Sequence, residues 1–174
     1  MPTKLQLTFT ADAPKGDAIT ICLIGKNCQI IPDLDQALAA HLIDAMAAFQ
    51  FTGAIGKTMP VYHNQTSYLL IGTGPELRAG ATAEKLGGKL FSALAETGAK
   101  RGWLIDHKLD DQLLADICFG AELASYHFDR YFTDNKSADS QVQLFVTASG
   151  LQADSPLMAD RRALANGVFV ARDL

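Results

Sequence analysis

The chain has 174 residues, of which 48% are hydrophobic and 20% charged, as expected of one globular domain with its own core. Its 15 basic and 19 acidic residues give a formal net charge of −4 with no basic run, which argues against a nucleic-acid surface. No segment has the roughly 18 consecutive apolar residues of a membrane span, and the first residues lack the apolar region of a secretory signal.

The three cysteines are odd in number and share no metal-like spacing, so no disulfide framework is expected. Cys22 and Cys118 lie within apolar runs and are predicted to be buried thiols, because free cysteine packs as a small hydrophobe. These features favour a cytoplasmic protein without membrane contact.

The first part of the chain predicts two strands and a helix. Apolar and polar residues alternate over 5–9, which is typical of a strand with one polar face. Residues 18–24 are almost continuously apolar, as in a strand buried on both faces. Asp33, which follows Pro32, is predicted to begin a helix that ends at about Phe49.

The central stretch, 68–106, predicts a strand, a glycine-rich turn, a helix and a second strand, which is the βαβ unit of a parallel sheet. A strand over 59–62 is expected to pair with the first of these strands. Thr82 is the expected N-cap of the helix, and Gly98 is its expected C′ glycine.

Two glycines, Gly87 and Gly88, fall in the middle of this helix. Each costs about 1 kcal/mol relative to alanine in a helix interior. We therefore predict that the helix backbone approaches the sheet closely at this point.

The last third of the chain predicts a helix, a strand and a final helix. The first helix is expected to start at Asp110 or Asp111 and to end near Tyr126, and the strand covers 142–146. Ser155 followed by proline is a helix start with serine as the cap.

The final helix keeps apolar residues up to Leu174, without a C-cap glycine or a polar tail. Its predicted apolar stripe consists of Leu157, Leu164, Val168 and Ala171. Such a face needs a packing partner, so we expect the chain to be a segment of a longer protein with a second domain downstream.

Two glycine-containing stretches invite comparison with phosphate-binding loops. GAIGKT (53–58) has Phe51 where a Walker loop needs its first glycine, and it lies between a helix and a strand, the reverse of the required order. GTGPE (72–76) follows a strand and precedes a helix, but Leu77 replaces the third glycine of a dinucleotide fingerprint. An ordinary turn is the favoured interpretation of both, with a ligand site at GTGPE as the alternative.

The remaining polar residues form no recognisable catalytic pattern. The histidines, His41, His63, His107 and His127, are dispersed in the sequence. Asp106, Asp110 and Asp111 could hold a hard cation, although capping of the next helix explains the latter two more simply. Asp129 and Arg130 are expected to anchor a helix end. We predict no catalytic, cofactor-binding or metal-binding residue in this chain.

Four stretches together resemble the N-terminal domain of the leucyl (cytosol) aminopeptidase family. They are FTGAIGKT (51–58), the strand–helix–strand of 68–105, GAELASYHFDRYFTDNK (120–136) and GVFVARDL (167–174). The resemblance covers nearly the whole chain in register.

This resemblance implies an α/β fold, namely a macro-domain-like three-layer αβα sandwich around a mixed, mostly parallel sheet. Residues 1–154 would form this domain, and 155–174 would start the helix that leads to an absent C-terminal catalytic domain. The intact enzyme would release N-terminal amino acids, with leucine favoured, from peptides. Two divalent metal ions, manganese or zinc, would act in the missing domain, and the enzyme would assemble as a hexamer. This domain would serve assembly and active-site access.

Two other interpretations remain open at this point. A free-standing macro-like module could bind a nucleotide or ADP-ribose at the GTGP turn, where α/β sheets bind ligands. The chain could also be purely an oligomerisation domain.

Overall fold

The computed structural model describes residues 5–105, 109–126, 141–148 and 150–172. In this part of the chain, six strands and four α-helices follow one another. The strands are β1 (Leu5–Thr10), β2 (Ile19–Gly25), β3 (Thr58–His63), β4 (Thr66–Gly74), β5 (Arg101–Leu104) and β6 (Val142–Thr147). The helices are α1 (Gln36–Ala48), α2 (Ala81–Glu96), α3 (Asp111–Ser125) and α4 (Pro156–Arg172).

The strands form one sheet in the order β1-β6-β5-β2-β4-β3. Every neighbouring pair is parallel except β3 and β4, which form an antiparallel hairpin. The predicted hairpin pairing is confirmed, with Met59 opposite Leu70. Its two turn residues, Asn64 and Gln65, both have positive φ, as the twist of a two-residue hairpin requires.

Helices cover the sheet on two faces. Alternate residues of β2 point to opposite sides: Ile21 and Leu23 pack with α2 and α3, whereas Cys22 and Ile24 pack with α1. The continuous apolar run predicted for this strand is therefore explained by burial on both faces. The predicted three-layer α/β architecture with a mixed, mostly parallel sheet is confirmed.

Two predicted helix starts are wrong. The N-cap of α1 is Asp35 and not Asp33, because the Asp35 carboxylate accepts the backbone N–H groups of Ala37 and Leu38, each at 3.0 Å. The N-cap position of α2 is Gly80, with φ of 89°, and not Thr82. The predicted C′ glycine of α2, Gly98, has a φ of 73°, and Asp110 caps α3.

The close approach predicted at Gly87 exists, but its partner is a helix and not the sheet. A Cβ atom on Gly87 would overlap the backbone oxygen of Ile117 in α3. A Cβ atom on Gly120 in α3 would overlap the backbone oxygen of Glu84 in α2. The two helices thus cross with their backbones in contact, which only glycine permits at both positions.

Helix α4 packs on α3 and buries a different stripe from the predicted one. Its buried residues are Met158, Ala165 and Phe169. Leu164, predicted to be buried, is 53% exposed. The actual stripe is displaced by one position because Ala165 and Phe169 pack against Phe119 of α3.

We predict opposite effects of alanine at the two adjacent glycines of α2. Gly87→Ala should lower the free energy of unfolding by about 1–3 kcal/mol, because the new methyl group meets a backbone oxygen that cannot move aside. Gly88→Ala is the matched control: its Cβ would lie 3.6 Å from the Cβ of Ala124, so it should be neutral or stabilising by up to about 1 kcal/mol. Urea denaturation measures both, and equal effects would contradict the crossing.

Candidate functional site

The carboxyl edge of the sheet is where open α/β sheets bind ligands. There the GAIGKT loop is hydrogen-bonded to the end of β4. Gly72 N–H donates to Lys57 O at 2.8 Å, Gly56 N–H donates to Gly72 O at 2.8 Å, and Gly74 N–H donates to Gly53 O at 2.9 Å. The loop therefore extends the β4 edge, and two of its amides, those of Gly56 and Lys57, already donate to Gly72 O and Ala54 O within the fold.

Glycines bring this loop directly onto the strand ends. A Cβ atom on Gly53 would overlap Gly25 O, and one on Gly72 would overlap Ala54 O. The space beside the carboxyl ends of β2 and β4 is thus filled by main chain. The interpretation of GAIGKT as a turn that leads into a strand agrees with this geometry.

The loop from GTGPE leads to the amino terminus of α2, the other position where a phosphate could bind. The Gly80 N–H there donates to the Asp116 Oδ2 carboxylate oxygen of α3 at 2.6 Å. A helix amino terminus attracts anions, and here the chain supplies its own anion. This contact does not favour the nucleotide or ADP-ribose alternative.

Asp116 is completely buried, and the sequence patterns predicted neither this residue nor its partners as a group. Its Oδ1 atom accepts Arg161 Nε–H at 2.8 Å, lies 2.5 Å from Arg161 Nη2, and accepts Gln112 Nε2–H at 3.2 Å. A buried carboxylate requires such partners. The available signal was an aspartate in the middle of the apolar run LLADICFG, followed by the arginine pair of α4.

Of the other acidic candidates, Asp110 accepts Leu113 N–H at 2.8 Å as the cap of α3, and Asp111 is exposed in its first turn. Asp106, His107, His127, Asp129 and Arg130 lie outside the described residues. Within the described ranges, no group of three or more His, Cys, Asp or Glu side chains is placed to hold a metal ion.

Two histidines that are far apart in sequence are neighbours in the structure. The ring centroids of His41 in α1 and His63 in β3 are 4.3 Å apart, and His63 Nε2 lies 3.0 Å from the side-chain amide of Asn64. The sequence alone did not bring these residues together, because α1 and β3 are separated by the GAIGKT loop. Because the described residues place no third His, Cys, Asp or Glu beside this pair, we interpret it as packing of α1 on β3.

The cysteines are free in the structure, and two are inert. Burial raises the pKa of the Cys22 thiol and of the Cys118 thiol to about 12. Both are therefore protonated and unreactive at neutral pH, in agreement with the predicted buried thiols. Cys28 is half-buried, and its Sγ donates to Phe51 O at 2.7 Å.

Glu122 is a second polar group of α3 in a desolvated position. Burial raises the pKa of its carboxyl group, and the charge of Arg162 on α4 opposes the shift only in part. Its Oε2 atom is buried, with no hydrogen-bond partner among the described residues. The surface between α3 and α4 therefore contains one satisfied carboxylate, Asp116, and one poorly solvated carboxyl group, Glu122.

A cleft of about 450 Å³ lies at the opposite end of the sheet, beside the amino ends of β2, β4 and β5. Its lining includes Thr20, Thr66, Arg101 and Trp103. The Arg101 Nη1–H group donates to Lys15 O at 2.7 Å, and the guanidinium lies 4.8 Å from the centroid of the Phe145 ring. Arg101 is thus engaged in holding the 11–18 loop on the sheet.

Among the described helices, none is long and apolar enough to cross a membrane.

A family model and individual relatives match this chain, and each is named for cytosol aminopeptidases. Residues 25–135 match the family model of the cytosol aminopeptidase family, N-terminal domain. A probable cytosol aminopeptidase of Rickettsia bellii is 33% identical over 98% of this chain, and one of Brucella anthropi is 27% identical over 100% of it. The chain spans only 37% and 38% of these two relatives, respectively.

Solved structures show the same fold. A tomato leucine aminopeptidase mutant superimposes with a TM-score of 0.75 at 16% identity, over 97% of this chain and 37% of that chain. The bottromycin maturation enzyme BotP superimposes with a TM-score of 0.64 at 18% identity, over 91% of this chain and 32% of that chain.

We predict that Glu122 makes stability depend on pH. Because the pKa of this carboxyl group is raised in the fold, the stability it confers is complete at acid pH, below its unfolded pKa, and is lost as pH rises through the folded pKa. Glu122→Gln should remove this loss, so the variant should gain stability relative to the parent chain as the pH rises from acid to neutral. Urea denaturation midpoints of the parent chain and the variant, measured at several pH values from acid to neutral, test this prediction.

Glu76→Gln is the control for this experiment. Glu76 pairs with Arg78 on the surface, with 65% of its side chain exposed, and such a pair contributes little at any pH. A Glu122→Gln variant that loses stability at neutral pH, or that keeps the parent's pH dependence, would contradict the burial argument.

Proposed function

The chain belongs to the cytosol aminopeptidase family as an N-terminal domain, and we propose that it is the non-catalytic domain of a leucyl aminopeptidase. The intact enzyme releases N-terminal amino acids, with leucine favoured, from peptides by two-metal hydrolysis. The observation that carries this proposal is the match of residues 25–135 to the family's N-terminal domain, and relatives named as probable cytosol aminopeptidases support it. The family name also supports a cytoplasmic location.

The chemistry is assigned to residues outside the described part of this chain. Hydrolysis with two metal ions needs several carboxylate or histidine ligands around both ions. The described residues supply no such group, so they do not fit a manganese or zinc pair. We assign the two metal ions to the additional length that the curated relatives have, since this chain spans 37% of the Rickettsia bellii protein.

Helix α4 provides the surface for contact with that catalytic part. On the side of the helix opposite its buried stripe lies an exposed apolar face. We call it the outer face of α4, and it consists of Ala163, Leu164, Gly167, Val170 and Ala171. Leu164 and Val170 are 53% and 63% exposed. We propose that 1–154 is the domain proper, that 155–174 is the linking helix, and that the outer face packs against the catalytic part.

A scaffold of this kind also fits a role in assembly. We propose that the domain contributes to a hexamer of the intact enzyme and to access of peptides to the active site. The close crossing of α2 and α3 and the main chain packed against the carboxyl ends of β2 and β4 support a structural role, because backbone occupies the space beside these elements.

We expect the 174-residue chain to have no peptidase activity on leucyl amide substrates, with or without added manganese or zinc. The longer protein that contains it should be active with one of these metals under the same conditions. Release of the amine product measures both. Metal-dependent turnover by the pure 174-residue chain would contradict the proposal.

A charge placed on the outer face of α4 should affect the 174-residue chain and the longer protein differently. Leu164→Asp should change the stability of the 174-residue chain by less than about 0.5 kcal/mol, because the side chain is exposed there. In the longer protein it should lower stability by more than about 1 kcal/mol, because the charge would be buried against the catalytic part. Thermal and urea unfolding measure the difference.

Asn166→Asp is the matched control, because it adds the same charge to α4 at an exposed residue outside the outer face. It should have a small effect in both proteins. Equal, small effects of the two substitutions in the longer protein would exclude the outer face as the contact.

A further inference from the structure

One carboxylate joins three helices. Asp116 of α3 accepts the backbone N–H of Gly80 at the start of α2 and binds Arg161 of α4 through Nε and Nη2. Asp116 is 0% exposed, and the Arg161 side chain is 21% exposed. We call the group of Gly80, Asp116 and Arg161 the α4 clamp.

The clamp differs in kind from the apolar contacts between α4 and α3. Ala165 and Phe169 pack on Phe119, and the Phe169 ring stacks on Tyr126 with centroids 5.0 Å apart. Apolar packing is non-directional, so it holds the helix on α3 but tolerates rotation and sliding. The Arg161 Nε–H group donates to a carboxylate that is itself fixed, and Nη2 forms an ion pair with the same oxygen, so this contact is directional. The clamp therefore adds a directional restraint on the rotation of α4 to the apolar packing that buries Ala165 and Phe169.

The carboxylate itself is held in place from two sides. Gln112, one turn earlier on α3, donates to Oδ1, and the amino end of α2 attracts the negative charge on Oδ2. The position of Arg161 is thus set by α2 and α3 together. Replacing Arg161 leaves the buried Asp116 charge without its cation, and replacing Asp116 leaves Arg161 without its carboxylate. Either change should weaken the contact between α3 and α4.

We infer that Asp116 is a positioning residue, which orients α4 through Arg161 so that the outer face of α4 is presented to the catalytic part. The clamp is a property of this chain, and only its consequence for catalysis rests on the proposed function. Nothing in the comparisons assigns a role to Asp116 or Arg161.

Hydrogen exchange on the 174-residue chain tests the clamp. Arg161→Met should accelerate exchange of the α4 amides by about tenfold or more, while the amides of β2 and β4 keep the parent's protection. Asp116→Asn, which keeps the size and removes the charge, should accelerate the same amides. For the α4 amides, the double variant should add little to either single variant, because each of the three lacks the same Asp116–Arg161 ion pair.

Arg162→Met is the control. Arg162 is the next residue on α4, and its Nη1 donates to Ala153 O at 2.8 Å and not to Asp116. It should leave the first turn of α2 unchanged, whereas Asp116→Asn should loosen that turn through Gly80. The clamp is overturned if the Arg161 and Arg162 variants give the same exchange map, or if exchange rises equally in β2 and β4, which would indicate global destabilisation.

The longer protein tests the consequence for catalysis. At a temperature where every variant is folded, Arg161→Met should lower kcat/KM for a leucyl amide at least about fivefold, and Arg161→Lys should restore part of it, because lysine keeps the charge. Faster exchange of α4 with unchanged kcat/KM would overturn the positioning role. If the parent enzyme has no peptidase activity, the proposed function fails, and the exchange experiment still decides on the clamp.

Discussion

The backbone contact between α2 and α3 is the constraint on which the rest of this domain depends. Gly87 and Gly120 each remove a Cβ atom that would overlap a carbonyl oxygen of the other helix. This close crossing brings Gly80, the residue immediately before α2, within hydrogen-bond distance of Asp116. It also buries every residue of α3 from Leu113 to Ala121, because α2 and the sheet cover one side and α4 covers the other. A wider crossing would separate the amino end of α2 from its internal anion.

The sequence predicts the elements well because their patterns are local. The apolar run of β2, the hairpin of β3 and β4 and the proline start of α4 all depend on neighbouring residues. The partner of Gly87 was predicted incorrectly for the opposite reason. A helix glycine signals a close approach, but the surface approached is defined only when α3 has packed. Whether it is sheet or helix is a tertiary property.

In helix α4, the periodicity of the sequence alone does not determine which of two apolar stripes is buried. Leu164 and Val168 have the same spacing as Ala165 and Phe169, one position earlier, so periodicity permits either pair to be buried. Packing on α3 buries the second pair, and the larger aromatic side chain gains more from burial. The exposed side of α4, which includes Leu164, is also informative. An apolar face that stays exposed in one domain is expected where that domain contacts another.

A fold of this class carries a ligand site only where its strand ends and helix termini have unsatisfied groups. Here β2 and β4 end against the main chain of the GAIGKT loop, and the amino terminus of α2 already binds a carboxylate. Sequence spacing disfavours a phosphate loop because glycines are missing from both stretches, and the structure adds a second reason. A phosphate at α2 would have to displace Asp116, which would separate Arg161 from its partner and release α4. Binding of that kind would compete with the domain's own architecture.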